Sequence, residues 1–69
     1  MKVTITTEFI TLGQFLKHAD LVATGGQVKP FLESNTVLVN NQPTVQRGKK
    51  LYPGDSISIR GKMYLLVKR

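Results

Sequence analysis

Arg47, Lys49 and Lys50 surround Gly48 in a short stretch that contains no acid. A guanidinium grips phosphate through two parallel hydrogen bonds, and an ammonium adds a mobile point charge. The chemistry this cluster offers is therefore anion binding, not bond making. Val37-Leu38-Val39-Asn40-Asn41 precedes it and Pro53-Gly54-Asp55 follows it. A short alternating strand, a turn and a second turn leading into another strand would set these cations on one side of a small sheet. Lys29 and Lys17 are further candidates, each on a segment with helical spacing. Asn40 and Asn41 have amides able to donate to sugar or phosphate, and turn chemistry accounts for them equally well.

The charge distribution points the same way. The net charge is +6, and the excess lies in the second half. Lys2, Lys17 and Lys29 are balanced by Glu8, Asp20 and Glu33, whereas Arg47, Lys49, Lys50, Arg60, Lys62, Lys68 and Arg69 face only Asp55. Clustered positive charge raises the local concentration of phosphate ligands and steers their approach. The plainer account is a basic surface that keeps a small protein soluble. RNA and DNA present the same phosphates, and charge alone does not separate them.

Catalysis finds little support. A metal site needs several His, Cys or carboxylate ligands, but the chain has one His, four acids and no Cys. No cofactor is expected. His18 reads as a helix-end or surface residue, and it is the one plausible base for nucleophilic chemistry. Gly25-Gly26 lacks the Lys-Ser/Thr ending of a phosphate loop and is better explained by capping and close packing. The chain is read as a non-enzyme. With no cysteine and no apolar run long enough for a signal peptide or a membrane span, the expected address is cytoplasmic, with no membrane partner.

The elements that must position these residues follow from periodicity. Val3 and Ile5 alternate with polar neighbours over residues 2–6, a half-buried strand. Leu12, Phe15 and Leu16 form one helical face after Thr11, a fitting N-cap, and Lys17 and His18 lie near that helix's negative end. Thr24-Gly25-Gly26-Gln27 has capping-box spacing for a second helix with the stripe Val28, Phe31 and Leu32. Its N-terminus offers backbone N–H groups to an anion. Pro30 would fall in the interior of that helix, so either the first turn distorts around Gly26 or the helix starts late. Asn35 suits a left-handed stop. Asn40-Asn41 suits a two-residue hairpin turn, Pro43 marks an edge or short strand, and Pro53-Gly54 fits the centre of a type II turn. Ser56 to Arg60 alternates, Gly61-Lys62 turns the chain, and residues 63–67 form a last strand. Phe15 and Phe31 read as core and the two tyrosines as half-buried strand residues, while Phe9 has no place in the pattern. The order of strand, two helices and several strands is an α+β domain of 69 residues. A chain of this size buries only about 60% of its unfolded surface.

Over about residues 10–60 the chain resembles the S-four-type RNA-binding domain, the αL module of a small-subunit ribosomal protein. The resemblance lies in Leu12-Gly13-Gln14-Phe15-Leu16, in Thr24-Gly25 with Val28, Phe31 and Leu32, in Val37-Leu38-Val39-Asn40-Asn41, and in Pro53-Gly54-Asp55-Ser56-Ile57. Thr11, Gly13 and Gly25 stand where the family often has a basic residue, an Asp and an Arg. Thr24-Gly25-Gly26-Gln27-Val28-Lys29 and Arg47-Gly48-Lys49-Lys50-Leu51 resemble instead its small stand-alone YaaA-like branch. The resemblance implies two packed helices against a small, mostly antiparallel sheet, as one unit over residues 1–69. It also implies RNA contact through Lys29 and the Arg47–Lys50 loop. The partner expected is structured ribosomal or transfer RNA, or a ribosomal particle, bound by a monomer. With few free aromatics, recognition by shape and phosphate is favoured over base reading. The alternative is a β-grasp-like adaptor that docks on an acidic protein and has no nucleic-acid role. Its sulfur-carrier version needs a terminal Gly-Gly, and this chain ends Val67-Lys68-Arg69.

Overall fold

A computed structural model describes all residues from Met1 to Arg69. Strand β1 (Lys2–Ile5) leads through a short β2 (Ile10–Thr11) into helix α1 (Leu12–His18). A 3₁₀ turn (Gly25–Gln27) opens helix α2 (Val28–Ser34). Strands β3 (Val37–Val39), β4 (Gln42–Thr44), β5 (Lys50–Leu51), β6 (Ser56–Ile59) and β7 (Lys62–Lys68) complete the chain. The main sheet has the order β1-β7-β6-β3-β4, and β2 pairs with β5 in a separate two-stranded ribbon. All pairings are antiparallel except β1 with β7. The architecture is the expected α+β fold.

Period-two alternation sends Val3, Ile5, Val37, Val39, Ile57, Ile59, Tyr64 and Leu66 to one face of the sheet. There they join Leu12, Phe15 and Leu16 of α1 and Val28, Phe31 and Leu32 of α2 in one apolar cluster, to which β5 adds Leu51. Phe15 and Tyr64 meet edge-on, with ring centroids 5.7 Å apart and planes at 85°, a favoured aromatic geometry. Both expected helical stripes are therefore the residues that weld the helices to the sheet.

Local signals set the boundaries. Thr11 Oγ1 accepts from the Gln14 N–H at 3.3 Å and Gln14 Oε1 accepts from the Thr11 N–H at 2.9 Å, a reciprocal capping box at the start of α1. Ahead of α2, Gln27 Oε1 accepts from the N–H groups of Ala23 at 2.6 Å and Thr24 at 3.4 Å. The 3₁₀ turn delays the α-helix to Val28, so Pro30 sits in its first turn, where a missing N–H leaves no partner unpaired. That is the late start, one of the two routes the sequence left open.

Two expectations are corrected. Asn35 does not take a left-handed stop; its φ of −133° is extended. Its backbone N–H and its Nδ2 both donate to the Phe31 carbonyl, at 2.9 and 3.0 Å, and its Oδ1 accepts from Arg60 Nε at 2.8 Å. The side chain thus closes the helix end without the backbone reversal. Arg60 leaves the strand: with Gly61 it forms the β6–β7 turn at φ 54° and 77°. Asn40 and Asn41 make the matching β3–β4 turn at φ 50° and 70°. Turns with positive φ at both central positions match the right-handed twist of the strands they join. Gly54, at φ 98°, occupies the turn position that glycine alone takes without strain. Pro43 lies on β4, at an edge of the sheet.

Candidate nucleic-acid interface

The basic loop is fixed by its backbone and free at its side chains. The carbonyls of Arg47 and Lys49 accept from the N–H groups of Gly13 and Leu12, at 2.9 and 2.8 Å. The first turn of α1 is therefore capped by the loop, and no orphan donor of that turn is left for an outside anion. Within the loop, the Lys49 N–H donates to the Gln46 carbonyl at 3.1 Å and the Gln46 N–H to Thr44 Oγ1 at 3.3 Å. With the carbonyls turned toward α1, the side chains of Arg47, Lys49 and Lys50 are all exposed.

Lys17 and Arg47 come together. They line one groove of about 300 Å³ with Thr11, Gly13, Gln14 and Gly25. The glycines keep its floor low: a Cβ on Gly25 would meet nothing within 4 Å, and one on Gly13 would reach the Arg47 carbonyl oxygen at 3.5 Å. The three positions at which the chain departs from the family pattern, Thr11, Gly13 and Gly25, thus all line the groove. Lys49 faces a neighbouring hollow with Gln42, Pro43, Thr44, Val45 and Gln46. Lys50 lies on β5, its Nζ 5.0 Å from the centroid of the Phe9 ring. Lys29 is exposed on the first turn of α2. The backbone there has other work, since the N–H groups of Gln27 and Val28 donate to the carbonyls of Thr24 and Gly25.

The asparagines are set apart from this group, at the β3–β4 turn. Asn40 Nδ2 donates to Asp55 Oδ1 at 3.1 Å, and Asn40 Oδ1 accepts from the Ser56 N–H at 3.0 Å. Its amide is a brace between two turns, while Asn41 is exposed at the tip. Asn40→Ala is expected to lower the unfolding free energy by about 1–3 kcal/mol, because it removes two hydrogen bonds and strains a left-handed residue. Asn41→Gly should change it by less than about 1 kcal/mol. Denaturant titration of both variants checks this contrast.

Asp55, the sole acid of the second half, is also occupied: its other oxygen accepts from the Tyr52 N–H at 2.9 Å. His18 is a helix-end residue whose Nε2 donates to the Thr4 carbonyl at 2.9 Å. No group of three or more His, Asp or Glu side chains is placed to hold a metal ion. No helix is long and apolar enough to cross a membrane. Sequence reasoning missed the exposure of Phe9 and Tyr52, which face solvent beside Lys50. No short-range signal marks them, because they lie just outside the two paired strands β2 and β5, which are distant along the chain.

A family model for the S4 domain matches residues 3–67, nearly the whole chain. The chain belongs to the S4 domain family. This S4 domain is 54% identical over 59 residues to a Bacillus subtilis (strain 168) protein named "Probable ribosome maturation protein RlbA", a match covering 86% of this chain and 83% of that relative. No solved structure matches it. The match reaches beyond the expected residues 10–60 because β1 and β7, the flanking strands of the sequence reading, are part of the same sheet.

Proposed function

We propose that this S4 domain is a non-catalytic RNA-binding protein that recognises structured RNA by shape and phosphate, with ribosomal RNA or a ribosomal particle as its target. The observation that carries this reading is the groove lined by both Lys17 of α1 and Arg47 of the fixed loop, with Lys49 and Lys50 exposed on the same loop and strand. Lys29 extends the cationic surface onto α2, and Asn41 offers a separate exposed amide at the β3–β4 turn. A fixed backbone spares the loop itself any ordering cost on binding, and its mobile cations can follow the backbone of a helical RNA without reading its bases. The relative's name, which speaks of ribosome maturation, favours ribosomal over transfer RNA. The protein acts in this reading as a cytoplasmic monomer, with residues 1–69 as one binding unit and no cofactor.

Fluorescence-anisotropy titrations against a structured ribosomal-RNA hairpin and a matched DNA duplex, over a salt series, test it. About five neutralised phosphates predict a log–log salt slope on the order of −3 to −5 with the RNA, and tighter binding to it than to the DNA. Equal, weak binding to both would reduce the charge to general adhesion and favour the rival reading, an adaptor that docks on an acidic protein.

A further inference from the structure

Phe9 and Tyr52 form an exposed aromatic pair that the phosphate-binding surface does not explain. Single apolar side chains on a surface are ordinary, but these two are organised. Register places them opposite each other, one step beyond the pairing of Ile10 with Leu51. Their ring centroids are 5.7 Å apart at 43°, and they remain 37% and 49% exposed. Both backbones are braced: Thr7 Oγ1 donates to the Phe9 carbonyl at 2.8 Å, and Asp55 bonds Tyr52 through its carboxylate and its N–H, at 2.9 Å each. Lys50 lies over Phe9. The hollow beside Phe9, about 430 Å³, is lined by Thr7, Glu8, Ile10 and Gln14, and Gln14 also lines the Lys17–Arg47 groove.

We propose that the Phe9–Tyr52 pair is a stacking platform for one unpaired nucleobase, joined to the basic groove through Gln14 and flanked by Lys50. The substrate class is then an RNA helix with an unpaired nucleotide at its end, bulge or junction. This rests on RNA being the ligand. The chemistry of the hollow selects the base and not the phosphate, because Glu8 repels an anion while the Phe9 ring accepts any π-face. Lys50 is placed to meet the phosphate of the stacked nucleotide. Two side chains are far too small for a protein interface, which covers about 800 Å² per partner, whereas a single base fits them. A braced pair loses little freedom when the base arrives.

The test uses two RNAs of equal length, and hence equal charge: a fully paired blunt duplex and a hairpin with 2-aminopurine unpaired at the stem end. Phe9→Leu/Tyr52→Leu keeps apolar cover but removes both rings, and Tyr52→Phe keeps the ring. The wild type is expected to bind the hairpin more tightly and to quench 2-aminopurine. The double variant should lose about tenfold in hairpin affinity, with duplex affinity and both salt slopes unchanged. Tyr52→Phe should behave as the wild type does. If the wild type leaves 2-aminopurine fluorescence unchanged, the platform is overturned whatever the variants do, and a steep salt slope on both RNAs leaves the phosphate reading standing. Equal losses on hairpin and duplex would also overturn it, by making the rings a general support. An absence of salt-sensitive binding to either RNA would remove both readings together.

Discussion

Replacing Arg47, Lys49 and Lys50 together by Ala is expected to flatten the salt dependence of RNA binding by about two to three log–log units, which at 0.1 M salt is a loss of roughly a hundredfold or more in affinity. The size of the effect follows from how the loop is built. Its links to α1 are main-chain carbonyls accepting from Leu12 and Gly13, and truncation to Ala leaves those in place. All three side chains are exposed, and none belongs to the apolar core. Binding and folding therefore separate at this loop, and circular dichroism should show the triple variant folded with a melting temperature near that of the wild type. An unchanged slope in a folded triple variant would sink the assignment of the loop to phosphate contact. Lys17→Ala tests the other wall of the groove by the same readout.

Phe15→Ala is expected to do the reverse and remove the fold. Phe15 is fully buried and makes the edge-on contact with Tyr64 that joins α1 to β7. Truncating such a side chain costs about 3–5 kcal/mol through lost transfer energy and the cavity left behind. A domain of this size has a total stability of only roughly 3–10 kcal/mol. Each kcal/mol moves the melting temperature of a small domain by about 4–8 °C, so a fall of more than about 15 °C is expected in a thermal melt. A fall below about 5 °C would mean that the helices can settle onto the sheet without this contact.

Much of the architecture was legible because it is written in short-range patterns. Leu12, Phe15 and Leu16, and Val28, Phe31 and Leu32, are spaced for one helical face, and each set is buried as that spacing requires. Asn40-Asn41 and Pro53-Gly54 specify their turns through the φ values they tolerate. What the sequence could not reveal depends on partners distant along the chain. Asn35 is a good left-handed residue, yet Arg60 engages its side chain and an extended backbone results. Phe9 had no place because its partner, Tyr52, lies just past the other strand of a ribbon only two residue pairs long. The basic loop was legible as a run of cations, but its docking onto α1 and the meeting of Arg47 with Lys17 belong to the tertiary structure.

The parallel pairing of β1 with β7 has a consequence for the order of assembly. The hairpins β3–β4 and β6–β7 pair strands made at nearly the same time. Within this domain β1 is made before every other strand, and its partner β7 after them all. Until β7 is released, Val3 and Ile5 have no sheet to join, and closing so long a loop is the slow kind of step in folding. Completion of the sheet therefore waits for β7, and the first strand of the domain is the last to find its place.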